Sequence, residues 1–313
     1  MQGAGITVVG GPVRSLTLDE PQGPSPDEVV IDVRAAGVGN WDELVRVGSW
    51  PIGGPPPMAL GVEAAGTIAA VGADVTGLAV GDDVLTHPLP LKRNGTWAQR
   101  IIAPAATVAL KPSTVSFEVA AALPVPALTA LQVLDGALEI QRGEWLLVHG
   151  AGGVTGSMLV QLAVARGARV IATAGTANAS RLFGYGAREV LDYHDDDWPV
   201  RVREVTGEDG VPKAANAARD GARTALRAVL AGGRLATITG DPPGDERDIT
   251  IANVYVRPDG EQLTRLAELF SAGVLTLDIA SVRALDEAAA ALADAASGRP
   301  RGAVVLSLVS PGA

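Results

Sequence analysis

The chain has 313 residues, 47% apolar and 4% aromatic, with 25 Lys and Arg against 35 Asp and Glu, three His and no Cys. That length exceeds what one hydrophobic core usually serves, so two domains are expected. A net charge of −10 without a basic cluster speaks against nucleic acid as a partner, and the lack of Cys excludes disulfides, thiolate metal sites and a thiol nucleophile.

The first hundred residues read as strands. EVVIDVRAAGVG (28–39), GTIAAVGADV (66–75) and AQRIIAPAATVALKP (98–112) are short Val, Ile and Ala runs punctuated by Gly, Pro and Asp, the rhythm of a small β-rich barrel. After FEVAAALPVPALTALQVL the order becomes strand, glycine turn, helix, repeatedly. Strands are predicted at 145–149, 169–173, 189–193, 214–217 and within GGRLATITG, with helices at 155–166, through DDDWPVRVREVTG and at 222–230. This alternation specifies an α/β fold, a doubly wound parallel sheet with helices on both faces. GEQLTRLAELFSAG sets Leu263, Leu266, Leu269 and Phe270 at helical spacing, and RGAVVLSLV is a strand expected to return to the first domain. The expected division is 1–122 with 270–313 against 123–269. No basic-then-apolar leader opens the chain and no apolar run is long enough to span a bilayer, so a soluble cytoplasmic protein is expected, without a membrane partner.

VHGAGGVTGSMLVQLA (148–163) joins a strand to a helix through Gly150, Gly152, Gly153, Val154 and Thr155, with glycines at 150, 153 and 156 three apart. Helix N-termini offer unpaired N–H groups and the positive dipole end, and glycine lets a diphosphate approach. The spacing departs from G-x-G-x-x-G, so a tight connection without ligand is the alternative; the surrounding βαβ unit of about 30 residues favours a dinucleotide. ATAGTANASRLFGYGA carries no acid between Ala172 and Arg181, where an NAD site would hold the ribose hydroxyl, which favours NADP(H). Thr176, Asn178 and Arg181 are candidates for the 2′-phosphate, with a solvated helix position as the alternative for Arg181. Tyr193 is a candidate to flank the adenine, and Thr239 joins the cofactor-binding set. Of the other polar runs, YHDDDW reads as a solvated helix entry, His194 as a surface residue and His149 as packing.

With these residues in hand, the chain resembles the medium-chain dehydrogenase/reductase superfamily, in its zinc-free quinone oxidoreductase-like branch. The resemblance is carried by AAGVGNWDELVRVGSW, LGVEAAGTIAAVGADVTGLAVGDDV, GTWAQRIIAPAATVALKP, AALPVPALTALQVL, the glycine turn, YVRPDGEQL and GRPRGAVVL. It implies a GroES-like domain built from both chain ends, a Rossmann domain between them, a cleft for NADPH and a homodimer. Zinc-dependent relatives carry Cys at the position of Gly39 and His at that of Val62, so no metal is expected. Relatives in this branch commonly have Asn at Gly39 and often Tyr at Leu44. Asp42 and Arg46 match family positions and are expected to form a structural ion pair. Thr129 matches a family Thr near the nicotinamide, and Asn253 and Tyr255 precede VRPDG, where relatives bring a loop over that ring.

Hydride delivery without a metal requires hydrogen-bond donors for the charge developing on a substrate oxygen. The candidates are Thr129, Asn40 and His87, with Trp41, Trp50 and Trp97 lining the substrate cleft. The expected activity is NADPH-dependent reduction of a quinone or an α,β-unsaturated carbonyl. Two further readings stay open: an enoyl reductase or tailoring enzyme of a polyketide-like pathway, and a non-redox protein retaining NADP(H) as a structural or sensing ligand.

Overall fold

A computed structural model describes residues 1–92 and 94–309. It divides into two compact units, one of Met1–Leu128 with the chain from Arg257 onward, the other of Thr129–Val256. The first stretch supplies β1 (Gln2–Ile6), β2 (Arg14–Thr17), β3 (Glu28–Val38), β4 (Met58–Ala59), β5 (Ala64–Val71), β6 (Asp83–Thr86), β7 (Arg100–Pro104) and β8 (Val108–Leu110). The middle supplies β9 (Trp145–His149), β10 (Arg169–Thr173), β11 (Glu189–Leu191), β12 (Val211–Asn216), β13 (Val229–Thr237) and β14 (Thr250–Asn253). The last stretch adds β15 (Ile279–Ala284) and β16 (Ala303–Ser307). Helices are α1 (Asn40–Arg46), α2 (Phe117–Ala121), α3 (Pro124–Gln132), α4 (Val154–Ala165), α5 (Ala179–Gly184), α6 (Trp198–Thr206), α7 (Ala222–Leu226), α8 (Gly260–Ser271) and α9 (Ala288–Ser297).

In the first unit β3 is the organising strand. Its near-continuous apolar sequence is buried almost throughout, as a strand flanked by β16, β5 and β7 must be. β16 lies antiparallel to β3, Val304 opposite Val38 and Ser307 opposite Ala35, so the end of the chain completes the sheet its beginning starts. β15 lies at the sheet's outer end and alternates half-buried with exposed residues, the pattern of an edge strand with one wet face. The amphipathic α8 buries Leu263 and Leu266 and packs on β8. That packing puts α8 in the first unit, so the division falls after Val256 instead of after 269; the other falls after Leu128, inside α3, instead of after 122.

The second unit is a parallel sheet in the order β11-β10-β9-β12-β13-β14 among the described residues. The chain winds outward from β9 in one direction and from β12 in the other, which leaves a crevice at their carboxyl ends. All of β9 and all but one residue of β10 are buried, because helices cover both faces. Leu147, Ile171, Trp198, Val211, Leu226 and Leu235 share one core. The helix expected at 222–230 stops at Leu226, and Val229 and Leu230 instead open β13. No helix among the described residues is long and apolar enough to cross a membrane.

Candidate functional site

The glycine turn follows β9 at that crevice. Gly150 has φ +81°, and a Cβ there would stand 2.6 Å from the Ala218 backbone nitrogen, so both conformation and space demand glycine. A Cβ on Gly156 would lie 2.2 Å from the Gly150 carbonyl oxygen, which makes this glycine the contact that draws α4 against the turn. Gly153, the residue capping α4, is exposed and a Cβ there meets nothing nearer than 3.8 Å. The open side of the turn is therefore where the first N–H groups of α4 lack intrahelical acceptors, the side an anion needs.

Thr173, fully buried at the end of β10, holds the turn from below. Its Oγ1 accepts the Gly150 N–H at 3.2 Å and lies 2.6 Å from His149 Nδ1. Burial pushes His149 down to about 4, with Asp241 pulling weakly the other way, so the ring is neutral; it stacks on Trp198 with centroids 4.9 Å apart. His149 packs as expected, and it also carries part of the turn's support.

The residues expected at the 2′-phosphate are brought together. Arg181 Nη2 donates to the Gly152 carbonyl at 2.7 Å and to Asn178 Oδ1 at 2.9 Å, tying the start of α5 to the glycine turn. Thr176 opens the short turn that leads into α5. Tyr193 lies two residues beyond β11 and not on it, half exposed, with its ring 4.1 Å from that of His194; a Cβ on Gly175 would come 3.8 Å from both rings. His194 is exposed and its Nδ1 stands 2.7 Å from Asp192 Oδ1. Further along the carboxyl edge, Thr239 accepts from Asn216 Nδ2 at 2.9 Å and donates to Asp241. Burial pushes Asp241 up, but bonds from Thr239, the Ala222 N–H and Thr237 outweigh it and hold the carboxyl below its ordinary range. Asn253 Nδ2 donates to Tyr255 Oη at 3.1 Å, both side chains exposed. Sequence reasoning passed over Thr173, Asn216 and Asp241. Thr173 and Asn216 end strands and Asp241 lies just past one, so polarity at a strand's carboxyl end was the signal.

The first unit gathers a second set of polar groups around the N-terminus of α1. Asp42 is fully buried and its Oδ2 accepts the Gly39 N–H at 2.8 Å. Burial outweighs that bond and pushes the carboxyl up to about 8. The expected Asp42–Arg46 pair does not form: Asp42 faces inward, while Arg46 meets Glu43 on the outer face at 2.6 Å. Glu63 is also buried, its Oε2 accepting the Val125 N–H at 2.8 Å. Burial raises it well above the carboxylate range, the Val125 bond opposes this, and the charge of Asp42 adds to the rise.

Two expected site residues are corrected here. His87 is fully enclosed, its Nδ1 lies 2.6 Å from the Val62 carbonyl oxygen, and burial pushes it down to about 4. It is a neutral imidazole enclosed in the core. Trp97 is fully buried and donates Nε1 to the Gly37 carbonyl at 3.0 Å, so it is a core residue and no wall of a cleft. Trp41 and Trp50 remain half-buried, Asn40 is exposed at the start of α1, and Thr129 lies buried on α3.

Two family descriptions match the chain: the alcohol dehydrogenase GroES-like domain over residues 25–113 and zinc-binding dehydrogenase over 185–306. A quinone oxidoreductase of Pseudomonas aeruginosa is 31% identical over 307 residues, covering 92% of this chain and 93% of that protein. A pikromycin polyketide synthase component of Streptomyces venezuelae is 32% identical over 285 residues, 86% of this chain but only 7% of that protein's length. Among solved structures, an Escherichia coli quinone oxidoreductase complexed with NADPH superimposes with a TM-score of 0.86 at 26% identity, covering 98% of this chain and all of that one.

Proposed function

This chain belongs to the medium-chain dehydrogenase/reductase superfamily, in its quinone oxidoreductase-like branch, and from that premise we propose that it reduces a quinone or an α,β-unsaturated carbonyl compound with NADPH. The observation that carries the cofactor choice is the strap from Arg181 to Gly152 and Asn178, a fixed cation beside the glycine turn in a stretch that holds no acid. The turn itself fits a diphosphate, since a side chain at Gly153 would project into open space that the glycine leaves free.

When bound, NADPH supplies the hydride. The chain's own work is then to hold and orient: Gly150 to Thr155 grip the diphosphate, Thr173 keeps Gly150 in place, and Asn178, Arg181, Thr176 and Tyr193 receive the adenosine end. Thr239, Asn253 and Tyr255 belong to the same proposed cofactor set, and Thr129 and Asn40 are retained as candidates near the reacting ring. Zinc does not fit the positions where zinc-dependent relatives bind it. Gly39 has no side chain and its Cβ space is filled by the Trp41 ring, while Val62 is a buried aliphatic residue. Charge on the substrate oxygen must be met by hydrogen-bond donors, which suits conjugated carbonyls that already spread it.

The similarity to a polyketide synthase component favours a second reading, an enoyl reductase acting on a larger substrate. A cytoplasmic homodimer completes the proposal. The test is loss of reduced-nicotinamide absorbance when NADPH is mixed with a panel of quinones, enones and enoyl thioesters. Turnover of a quinone or enone is expected; inertness to every acceptor while NADPH binds would overturn the reductase reading.

A further inference from the structure

Gly39 raises a question that its backbone does not answer. Its φ of −128° and ψ of 170° are extended, a conformation open to any residue. What forbids a side chain is the Trp41 ring: a Cβ on Gly39 would fall 2.1 Å from Cε2, 2.2 Å from Cζ2 and 2.5 Å from Cδ2 of the indole. The glycine is a seat for that ring.

The seated ring is poorly satisfied. Trp41 is half-buried, yet its Nε1 is sealed off with no hydrogen-bond partner among the described residues. An indole N–H can only donate, and a buried one ordinarily finds an acceptor. Two further buried atoms lack a partner among the described residues: Oδ1 of the adjacent Asp42, and Nε2 of the core imidazole His87. Only one other buried side-chain atom among the described residues, Arg283 Nε, is similarly unpartnered. The unmade bond of Trp41, on a side chain that is only half-buried, fits a donor that meets its partner from outside.

We propose that Trp41 is the specificity-determining residue for the acceptor: an indole seated on Gly39 in the free protein that lifts and donates its N–H to the substrate's carbonyl oxygen. The inference rests on the reductase reading above. Lifting breaks no hydrogen bond of the indole N–H, since Nε1 has none among the described residues. The incoming group must bring a lone pair, so the device selects quinones and enones over apolar alkenes of the same shape. The bond strengthens as hydride transfer places negative charge on that oxygen.

Trp41→Phe keeps the ring and deletes the donor. The variant is expected to bind NADPH like the parent and melt no lower, while kcat/KM for a quinone falls by about tenfold or more. A variant whose kcat/KM stays within about twofold of the parent overturns the proposal. A second readout needs no turnover: the Trp41 indole N–H resonance, identified by its absence from Trp41→Phe, is followed in ¹⁵N-labelled protein with NADP⁺ and 2-cyclohexenone. A downfield shift is expected, and an unmoved resonance overturns the proposal. Should the parent bind NADPH yet reduce no acceptor, the reductase reading fails by itself, and the indole signal still decides whether Trp41 meets a carbonyl.

Discussion

Asp42 shows how much one enclosed carboxyl can govern. Its folded-state value near 8 stands far above the ordinary 3.8, so the native protein keeps a proton that the unfolded chain releases. Stability from this group is complete below about pH 4 and drains away as pH rises toward 8, by at most about 1.4 kcal/mol per pH unit. Asp42→Asn retains an oxygen for the Gly39 N–H and cannot ionise. Its melting temperature should therefore fall less than the parent's between pH 5 and pH 8, measured by calorimetry; parallel curves would refute the assignment. Arg181→Gln removes the cation beside the turn, and NADPH affinity should drop by about tenfold with NADH affinity nearly unchanged, as one charge-assisted bond is worth about 1.5–3 kcal/mol. Equal losses for both cofactors in fluorescence titrations would show that Arg181 is a brace only. The absence of an acid from the stretch that holds Arg181 and Asn178 was legible, because it is a sequence observation, whereas the bonds that tie Arg181 to Gly152 and Asn178 were not. The burial of His87 and Trp97 was not, since a lone His or Trp in a loop-rich stretch carries no periodicity to reveal which way it faces.

At the level of elements, the turn between β9 and α4 depends on a strand it does not belong to. Thr173→Val removes the acceptor of the Gly150 N–H and the partner of His149 without changing volume much. NADPH binding should weaken by about tenfold with kcat little changed, and Thr173→Ser should restore it. Gly156→Ala drives a methyl into the Gly150 carbonyl, so α4 must shift away from the turn; loss of cofactor binding with a melting point lower by several degrees is expected from about 1–3 kcal/mol of overpacking. β9 and β10 coincide with the runs predicted at 145–149 and 169–173, because short Val, Ile and Leu stretches bounded by charge and glycine leave little ambiguity. α1 escaped prediction: its 7 residues include only two buried ones, too few for a helical stripe to stand out. The misplaced end of the helix at 222–230 has a similar origin, since Val229 and Leu230 suit either period until the sheet claims them.

Across the whole molecule, the discontinuity of the first unit is the feature with most reach. The returning strand was readable as apolar and terminal, but its partner was not, because pairing between residues so distant along the chain leaves no local trace. Deleting 303–309 should unfold the first unit, exposing β3 to solvent along one edge, while Thr129–Val256 expressed alone should retain a cooperative melt in circular dichroism. A fragment without such a transition would show that the second unit lacks an independent core. On the ribosome the same arrangement imposes an order. The second unit can close as soon as Val256 clears the exit tunnel, whereas β3, synthesised early, must wait for a strand made about 265 residues later. At about 5–20 residues per second that interval lasts many seconds, in which a long apolar strand is open to chaperones or to aggregation, and a message cut short before residue 303 would yield a protein whose second unit closes while its first never completes its sheet.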